Sequence, residues 1–139
     1  MEFNNGAIGI LEASRVFLGR YNYLRIEVNG SLGAMCWDLE NLNNLQIYSH
    51  ESDDTSGFRT VSVTQRSHPF MEFWWPAGHI LGWEHSFVHE IHHFLEAIAG
   101  GGLVGPTGAT FEDGYRAAVV VDAILESAAS GKRIEVSYE

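Results

Sequence analysis

The segment His89-Glu90-Ile91-His92-His93 has the residue types and spacing best suited to metal chemistry. On a helix, His89 and His93 lie on one face, as do the paired zinc ligands of zinc peptidases, whose glutamate acts as general base. Against this, the two histidines oppose the apolar stripe of the predicted helix, and no third ligand is signalled downstream. We expect no bound metal by default. A zinc hydrolase using His89, His93 and Glu90 stays an alternative, and adventitious zinc or nickel binding needs only histidines four residues apart.

An aromatic-rich stretch at residues 67–83 precedes this helix and holds three of the four tryptophans. Its segment from Trp74 to His79 could present the face of Trp75 to a sugar ring, with His79 as a hydrogen-bonding group. The alternative is that the tryptophans simply cap a core. We predict that Trp75 and His79 bind substrate.

Three further residues are candidate substrate contacts. His85 stands near the start of the predicted helix, beside Glu84, whose charge complements the helix dipole. Arg15 and Arg20 flank a turn after the first predicted strand and could contact a hydroxylated substrate or another domain. The simpler interpretation of both arginines is that they are solvated surface charges.

Composition excludes several classes of protein. The formal net charge of −10 repels phosphate backbones and anionic lipids, so neither nucleic acid nor a membrane is an expected partner. The amino end lacks the pattern of a signal peptide, and no apolar run approaches the length of a membrane span. The single cysteine, Cys36, cannot form an internal disulfide and is predicted to be a small buried hydrophobe. A reducing cytoplasm is the expected location.

The first half of the sequence predicts strands, because apolar and polar residues alternate in it. Asn29-Gly30 is predicted as a two-residue hairpin turn, and residues 50–57 as a polar loop. The predicted strands are residues 7–17, 23–28, 32–37, 45–48 and 58–63, followed at the end of the chain by 133–138.

Two helices are predicted in the second half. The first, residues 85–99, carries an apolar stripe that includes Phe87, Ile91 and Phe94. The second, residues 111–129, has a capping box at its start and is apolar enough in the middle to be largely buried. The expected fold is one α+β domain over residues 1–139, with a mostly antiparallel open sheet of about six strands and two helices packed on one face.

Eight short motifs in a shared order carry a family resemblance across most of the chain. Residues 6–136 resemble the C-terminal domain of the Gfo/Idh/MocA oxidoreductases, the family of glucose–fructose oxidoreductase and inositol dehydrogenase. The matching stretches are GAIGILEASR at 6–15, GR at 19–20, EVNGSLG at 27–33, DLE at 38–40, WPAGH at 75–79, EHSFVHE at 84–90, FEDG at 111–114 and GKR at 131–133.

The resemblance implies part of an NAD(P)-dependent sugar or polyol oxidoreductase that contributes a wall of the substrate pocket and an oligomer interface. In that family an N-terminal Rossmann domain binds the cofactor and carries the catalytic lysine. Here no glycine-rich loop leads from a strand into a helix, since Gly100-Gly101-Gly102 follows one, and Lys132 does not match the lysine motif. We therefore assign no catalytic residue and no cofactor to this chain, and expect it to be inactive alone.

The expected partners are a second copy of the chain, through the open sheet face, a small sugar or polyol, and a Rossmann-type domain. A different class of function remains open: a non-catalytic binding or assembly module that pairs with a separate nucleotide-binding chain.

Overall fold

The computed structural model describes residues 1–50 and 56–138, which form two compact units, Met1–Leu81 and Gly82–Glu139. The elements, in chain order, are β1 (Arg25–Gly30), β2 (Gly33–Asp38), β3 (Asn44–Ser49), β4 (Arg59–Ser62), α1 (Trp83–Gly100) and α2 (Phe111–Ser130). Two single-turn 3₁₀ helices, Leu39–Asn41 and Met71–Phe73, lie between strands and before α1. The class is α+β, as predicted.

The first unit contains an open antiparallel sheet whose strand order follows the chain, β1-β2-β3-β4. The pairing places Ile26 opposite Trp37 and Val28 opposite Met35, so that apolar side chains meet across β1 and β2. Four of the predicted strands are therefore confirmed, with ends shifted by one or two residues. The predicted polar loop lies partly outside the described residues.

The turn of the hairpin between β1 and β2 lies two residues later in the chain than the sequence predicted. Gly30 still pairs with Gly33, so the two-residue loop is Ser31-Leu32, and Asn29-Gly30 is the end of β1. Gly33, which follows this loop, must be glycine. A Cβ there would lie 2.4 Å from the carbonyl oxygen of Tyr48 on the neighbouring strand. Close approach of backbone, and not positive φ, fixes glycine there.

The two terminal strands that were predicted are absent from the described structure. Residues 7–17 form only a single bridge, between Ile8 and Glu2, and residues 133–138 form no ladder. An alternating pattern shows which side chains share a face, but a strand also needs a partner to accept its backbone hydrogen bonds. Ile10 is 94% exposed, as expected for a segment with no sheet beneath it.

The second unit contains both helices. As predicted, α2 begins with a capping box, in which Thr110 and Asp113 bond reciprocally, and ends at Gly131 with a φ of 66°. The helix α1 is followed by Gly101, which has the same left-handed conformation. No helix in the described ranges is long and apolar enough to cross a bilayer.

Burial is sparse, and the predicted burial of α2 is wrong, because none of its residues is buried. The apolar stripe of α1 is present but uncovered, with Phe87 44% and Ile98 62% exposed. Helical periodicity defines a stripe but does not specify what packs on it. Among the described residues the only buried hydrophobic side chains are Cys36, as predicted, and Met71.

Candidate functional site

The best-defined concave surface lies in the aromatic loop, by which we mean residues 64–81, between β4 and α1. Its far end is tied to the sheet by one side chain. Asn43 Nδ2 donates to the carbonyl oxygen of Leu81 at 2.7 Å, and the Leu81 N–H donates to Asn43 Oδ1 at 2.8 Å. At the near end, the Val63 N–H donates to the backbone carbonyl of Asn43 at 3.0 Å. One residue beside β3 therefore holds both ends of the loop.

The middle of the aromatic loop is held by a strained turn. Phe70 has φ 67° and ψ −10°, a left-handed conformation that costs a non-glycine residue roughly 1–2 kcal/mol. It directly precedes the 3₁₀ turn Met71–Phe73, where Met71 is only 4% exposed. Burial of Met71 anchors the turn, and such strain persists only where surrounding contacts determine the backbone.

The turn forms one side of what we call the aromatic cleft. It contains about 320 Å³ including its open mouth. Its base includes the buried side chain of Thr64, whose hydroxyl lies 3.0 Å from Ser62 Oγ. The lining residues are Thr64, Arg66, Met71, Glu72, Trp74, Trp75, Pro76 and Ala77.

Trp75 and His79, both predicted as substrate contacts, lie together. Their ring centroids are 5.8 Å apart at an interplanar angle of 30°, and Trp75 is 73% exposed. His79 Nδ1 lies 2.8 Å from the Pro76 carbonyl oxygen. Because a carbonyl can only accept, Nδ1 carries the proton, and in the neutral ring Nε2 is left as the acceptor. Trp75 thus presents a large aromatic surface beside a hydrogen-bonding histidine.

His85, the third predicted contact, belongs to the second unit. Its Nδ1 accepts from the Gly82 N–H at 3.1 Å, so it satisfies one of the unpaired donors at the start of α1. Gly82 has no side chain to complete a capping box. His85 therefore has a structural role at the helix start, and its role as a substrate contact stays a prediction.

The two arginines differ in their surroundings. Arg20 donates to Glu40 Oε2 at 3.1 Å and lies 3.9 Å above the ring of Tyr23. Glu40 also accepts from the backbone N–H groups of Tyr21 and Asn22, and these hydrogen bonds, Tyr21's foremost, lower its pKa. Arg20 thus helps to fix the segment before β1. Arg15 is exposed on the same unit.

The histidine-rich segment of α1 does not assemble a metal centre in the described part of the chain, where no group of three or more His, Cys, Asp or Glu side chains is placed to hold an ion. His93 Nδ1 lies 3.5 Å from Thr107 Oγ1, and His92 Nε2 lies 3.5 Å from Glu96 Oε2. Partial burial, then the positive charges of the neighbouring histidines, lower the pKa of His89.

Sequence reasoning missed several residues that form or position the cleft, among them Asn43, Thr64, Arg66, Met71 and Glu72. Arg66 and Glu72 had a detectable signal, since they are charges of opposite sign inside an aromatic-rich loop. Asn43 had none, because its partner is 38 residues away along the chain.

Comparisons with known proteins all indicate the same family of oxidoreductases. A family model described as "Oxidoreductase family, C-terminal alpha/beta domain", that of the Gfo/Idh/MocA proteins, matches residues 1–136. Levoglucosan dehydrogenase of Pseudarthrobacter phenanthrenivorans is 39% identical over 138 residues, which cover 98% of this chain and 34% of that protein.

Solved structures give the same result. An oxidoreductase domain protein from Kribbella flavida aligns with a TM-score of 0.90 and 39% identity, covering 99% of this chain and 36% of that one. A levoglucosan dehydrogenase in complex with NADH and levoglucosan aligns with a TM-score of 0.88 and 40% identity, covering 99% and 37%. The chain spans about a third of the length of these relatives. It belongs to the Gfo/Idh/MocA oxidoreductase family and corresponds to the family's C-terminal α/β domain.

Proposed function

We propose that this chain is the substrate-side portion of an NAD(P)-dependent sugar or polyol oxidoreductase. It would contribute one wall of the substrate pocket and an oligomer interface, and would not transfer hydride by itself. The observation that carries the proposal is the similarity, over nearly the whole chain, to about a third of the length of enzymes whose structures hold NADH with levoglucosan or L-sorbose, together with the match to the family's C-terminal domain.

The described residues do not fit a dinucleotide. Gly100, Gly102 and Gly105 have the glycine spacing of a nucleotide-binding loop, although the sequence interpretation set this segment aside. The first of them ends α1, and the N–H groups of Gly101 and Gly102 both donate back to the Ala97 carbonyl. A pyrophosphate needs free N–H groups at the start of a helix, whereas the end of a helix has negative polarity. We therefore derive no redox step from this chain.

Within this proposal, Trp75 and His79 form the substrate-facing surface of the first unit. Trp75 offers apolar surface to the ring carbons of a sugar, and His79 Nε2 can accept from a hydroxyl. Arg15, Arg20 and His85 are proposed as secondary contacts with substrate or with the nucleotide-binding domain.

The oligomer interface is proposed on the open sheet. Leu24 directly precedes β1, and Ile26 and Val28 follow at alternate positions within it; these side chains are 61%, 59% and 50% exposed. Contiguous exposed apolar side chains on a sheet face favour association, and two copies related by a two-fold axis would cover the patch on both. We propose a homodimer through this face.

Reconstitution tests the proposal. The chain is mixed with a separately expressed nucleotide-binding domain of a levoglucosan dehydrogenase. Reduction of NAD(P)⁺ by levoglucosan is followed through the absorbance of the reduced cofactor. We expect turnover from the mixture and none from either part alone. Turnover by this chain alone, or a mixture that associates but stays inactive, contradicts the proposal; the second result would indicate a binding module.

A further inference from the structure

The amino end of the chain forms a short antiparallel hairpin whose second strand is longer than its first. The Met1 ammonium group donates to the Gly9 carbonyl at 2.8 Å, and the Gly9 N–H donates to the Met1 carbonyl at 2.9 Å. Closer to the turn, the Phe3 N–H donates to the Ala7 carbonyl at 2.9 Å. Beyond Gly9, no described residue continues this pairing.

Residues 10–14 continue the second strand of the hairpin without a turn or bend. In an antiparallel ladder, every second residue directs its backbone N–H and C=O to the same side. Since Ala7 and Gly9 bond across the hairpin, Leu11 and Ala13 point to that side as well. Their N–H groups make no hydrogen bond within the described ranges. An unpaired edge of this kind can accept one more strand.

The side chains along this edge also favour a partner. Ile8 and Ile10 lie on one face of the strand and are 81% and 94% exposed, and Leu11 on the other face is 59% exposed. Consecutive exposed apolar side chains on a strand with free backbone groups are typical of a surface that another polypeptide covers. An added strand would cover part of this apolar surface and pair the backbone at the same time.

Charge makes a second copy of this chain a poor occupant of the edge. The two-fold register that pairs Leu11 of one copy with Ala13 of the other places the two Glu12 side chains directly opposite each other, and like charges in that position are destabilising. Shifting the register leads to Gly9, which is already paired, or to Arg15, where the chain bends. The edge therefore favours a strand of different sequence.

We propose that residues 10–14 are a docking edge for an extended strand of the polypeptide that carries the nucleotide-binding domain. That strand would run antiparallel to them, bond the backbone of Leu11 and Ala13, and place an apolar side chain opposite Ile10 and a basic or hydroxyl side chain opposite Glu12. The chain spans about a third of the length of its relatives, so the larger part of a relative is available to supply such a strand. This inference rests on the proposed function and names the contact through which the partner attaches.

The test uses this chain and the part of levoglucosan dehydrogenase from Pseudarthrobacter phenanthrenivorans that lies outside the aligned 34%, which we call the complement fragment. Binding of NADH first shows that the complement fragment is folded. Amide exchange in ¹⁵N-labelled chain is then measured by NMR with and without it. We expect exchange at Leu11 and Ala13 to slow by about tenfold or more, as for paired strand amides, and exchange at Ile10 and Glu12, whose N–H groups point away, to change much less.

Proline substitution separates pairing at the edge from a general effect on the strand. Ala13→Pro removes an N–H that points toward the added strand and should weaken binding of the complement fragment by about tenfold. Ser14→Pro is the matched control, because its N–H points away from that strand, and it should change the affinity by less than about twofold.

Equal weakening by both proline variants, slowed exchange at Ile10 and Glu12 in place of Leu11 and Ala13, or a complement fragment that binds NADH but not this chain would overturn the proposal. So would slowing at Leu11 and Ala13 that increases with the concentration of this chain alone, because a second copy would then occupy the edge. Slowed exchange without turnover after reconstitution rejects only the proposed function. Turnover without slowed exchange at these two residues rejects only the docking edge.

Discussion

The aromatic loop has little regular secondary structure but is held by contacts with distant residues, whereas the two helices are regular but have few such contacts. The aromatic loop has only one 3₁₀ turn, yet contacts with distant residues fix its shape, above all the two hydrogen bonds between Asn43 and Leu81. The helices are regular, but no residue in either is buried. Their described contacts are mostly local, such as the Thr110–Asp113 cap and the Glu112–Arg116 pair. Regular backbone geometry therefore does not identify the preorganised part of this molecule.

The largest effect is expected from breaking the anchor of the aromatic loop. Asn43→Ala removes two part-buried hydrogen bonds and should destabilise the loop by about 2 kcal/mol, at roughly 1 kcal/mol for each bond. Amide exchange at Leu81 measures this directly, because its N–H is one of the donors. Asn44→Ala is the control, since the side chain of Asn44 donates only to the exposed side chain of Asn41. Unchanged Leu81 exchange in Asn43→Ala would show that the loop is held by something else.

A smaller effect is expected from breaking a local contact in the helical unit. Thr110→Ala removes the acceptor for the Asp113 N–H and should destabilise the first turn of α2 by about 1 kcal/mol. Faster amide exchange should be confined to that turn, whereas Thr110→Ser should retain the cap. If the exchange of α1 accelerated equally, the two helices would be coupled, and the contrast between local and distant anchoring would fail.

The sequence predicted local features well. The capping box at Thr110, the helix stop at Gly131 and the burial of Cys36 were all predictable, because each depends on a few neighbouring residues or on one side chain's character. The hairpin turn was misplaced because Asn29-Gly30 is a strong turn signal that the register of β1 and β2 overrides. The position of the turn is set by the pairing of the two strands and not by the Asn29-Gly30 dipeptide alone.

Long-range features were predicted less well. The alternation at residues 7–17 and 133–138 indicated strands, but the described chain supplies no ladder for either. Trp75 and His79 could be singled out by residue type. Asn43 could not, because an asparagine becomes an anchor only when the fold brings Leu81 to it. Arg66 and Glu72 were overlooked because isolated surface charges are usually solvated.

The smallest effect concerns the charge state of His89 on α1. Its pKa lies below the usual value, first through partial burial and then through the charges of His85, His93 and His92. The unfolded chain therefore takes up this proton at a higher pH than the folded chain. The contribution of His89 to the free energy of unfolding is therefore fully present above its unfolded pKa of about 6.5. It is lost as the pH drops through that value toward the folded pKa.

NMR titration of the His89 ring should give a midpoint below 6.5, and His85→Gln should raise it, because His85 is the largest of the three charged contributions. A His89 midpoint that does not move in His85→Gln would mean that the charge of His85 does not contribute and that partial burial is the main cause of the lowered pKa. In that event packing on α1 shields His89 from solvent more than the exposure of its neighbours indicates. The helix, like the aromatic loop, would then be held by contacts beyond its own backbone.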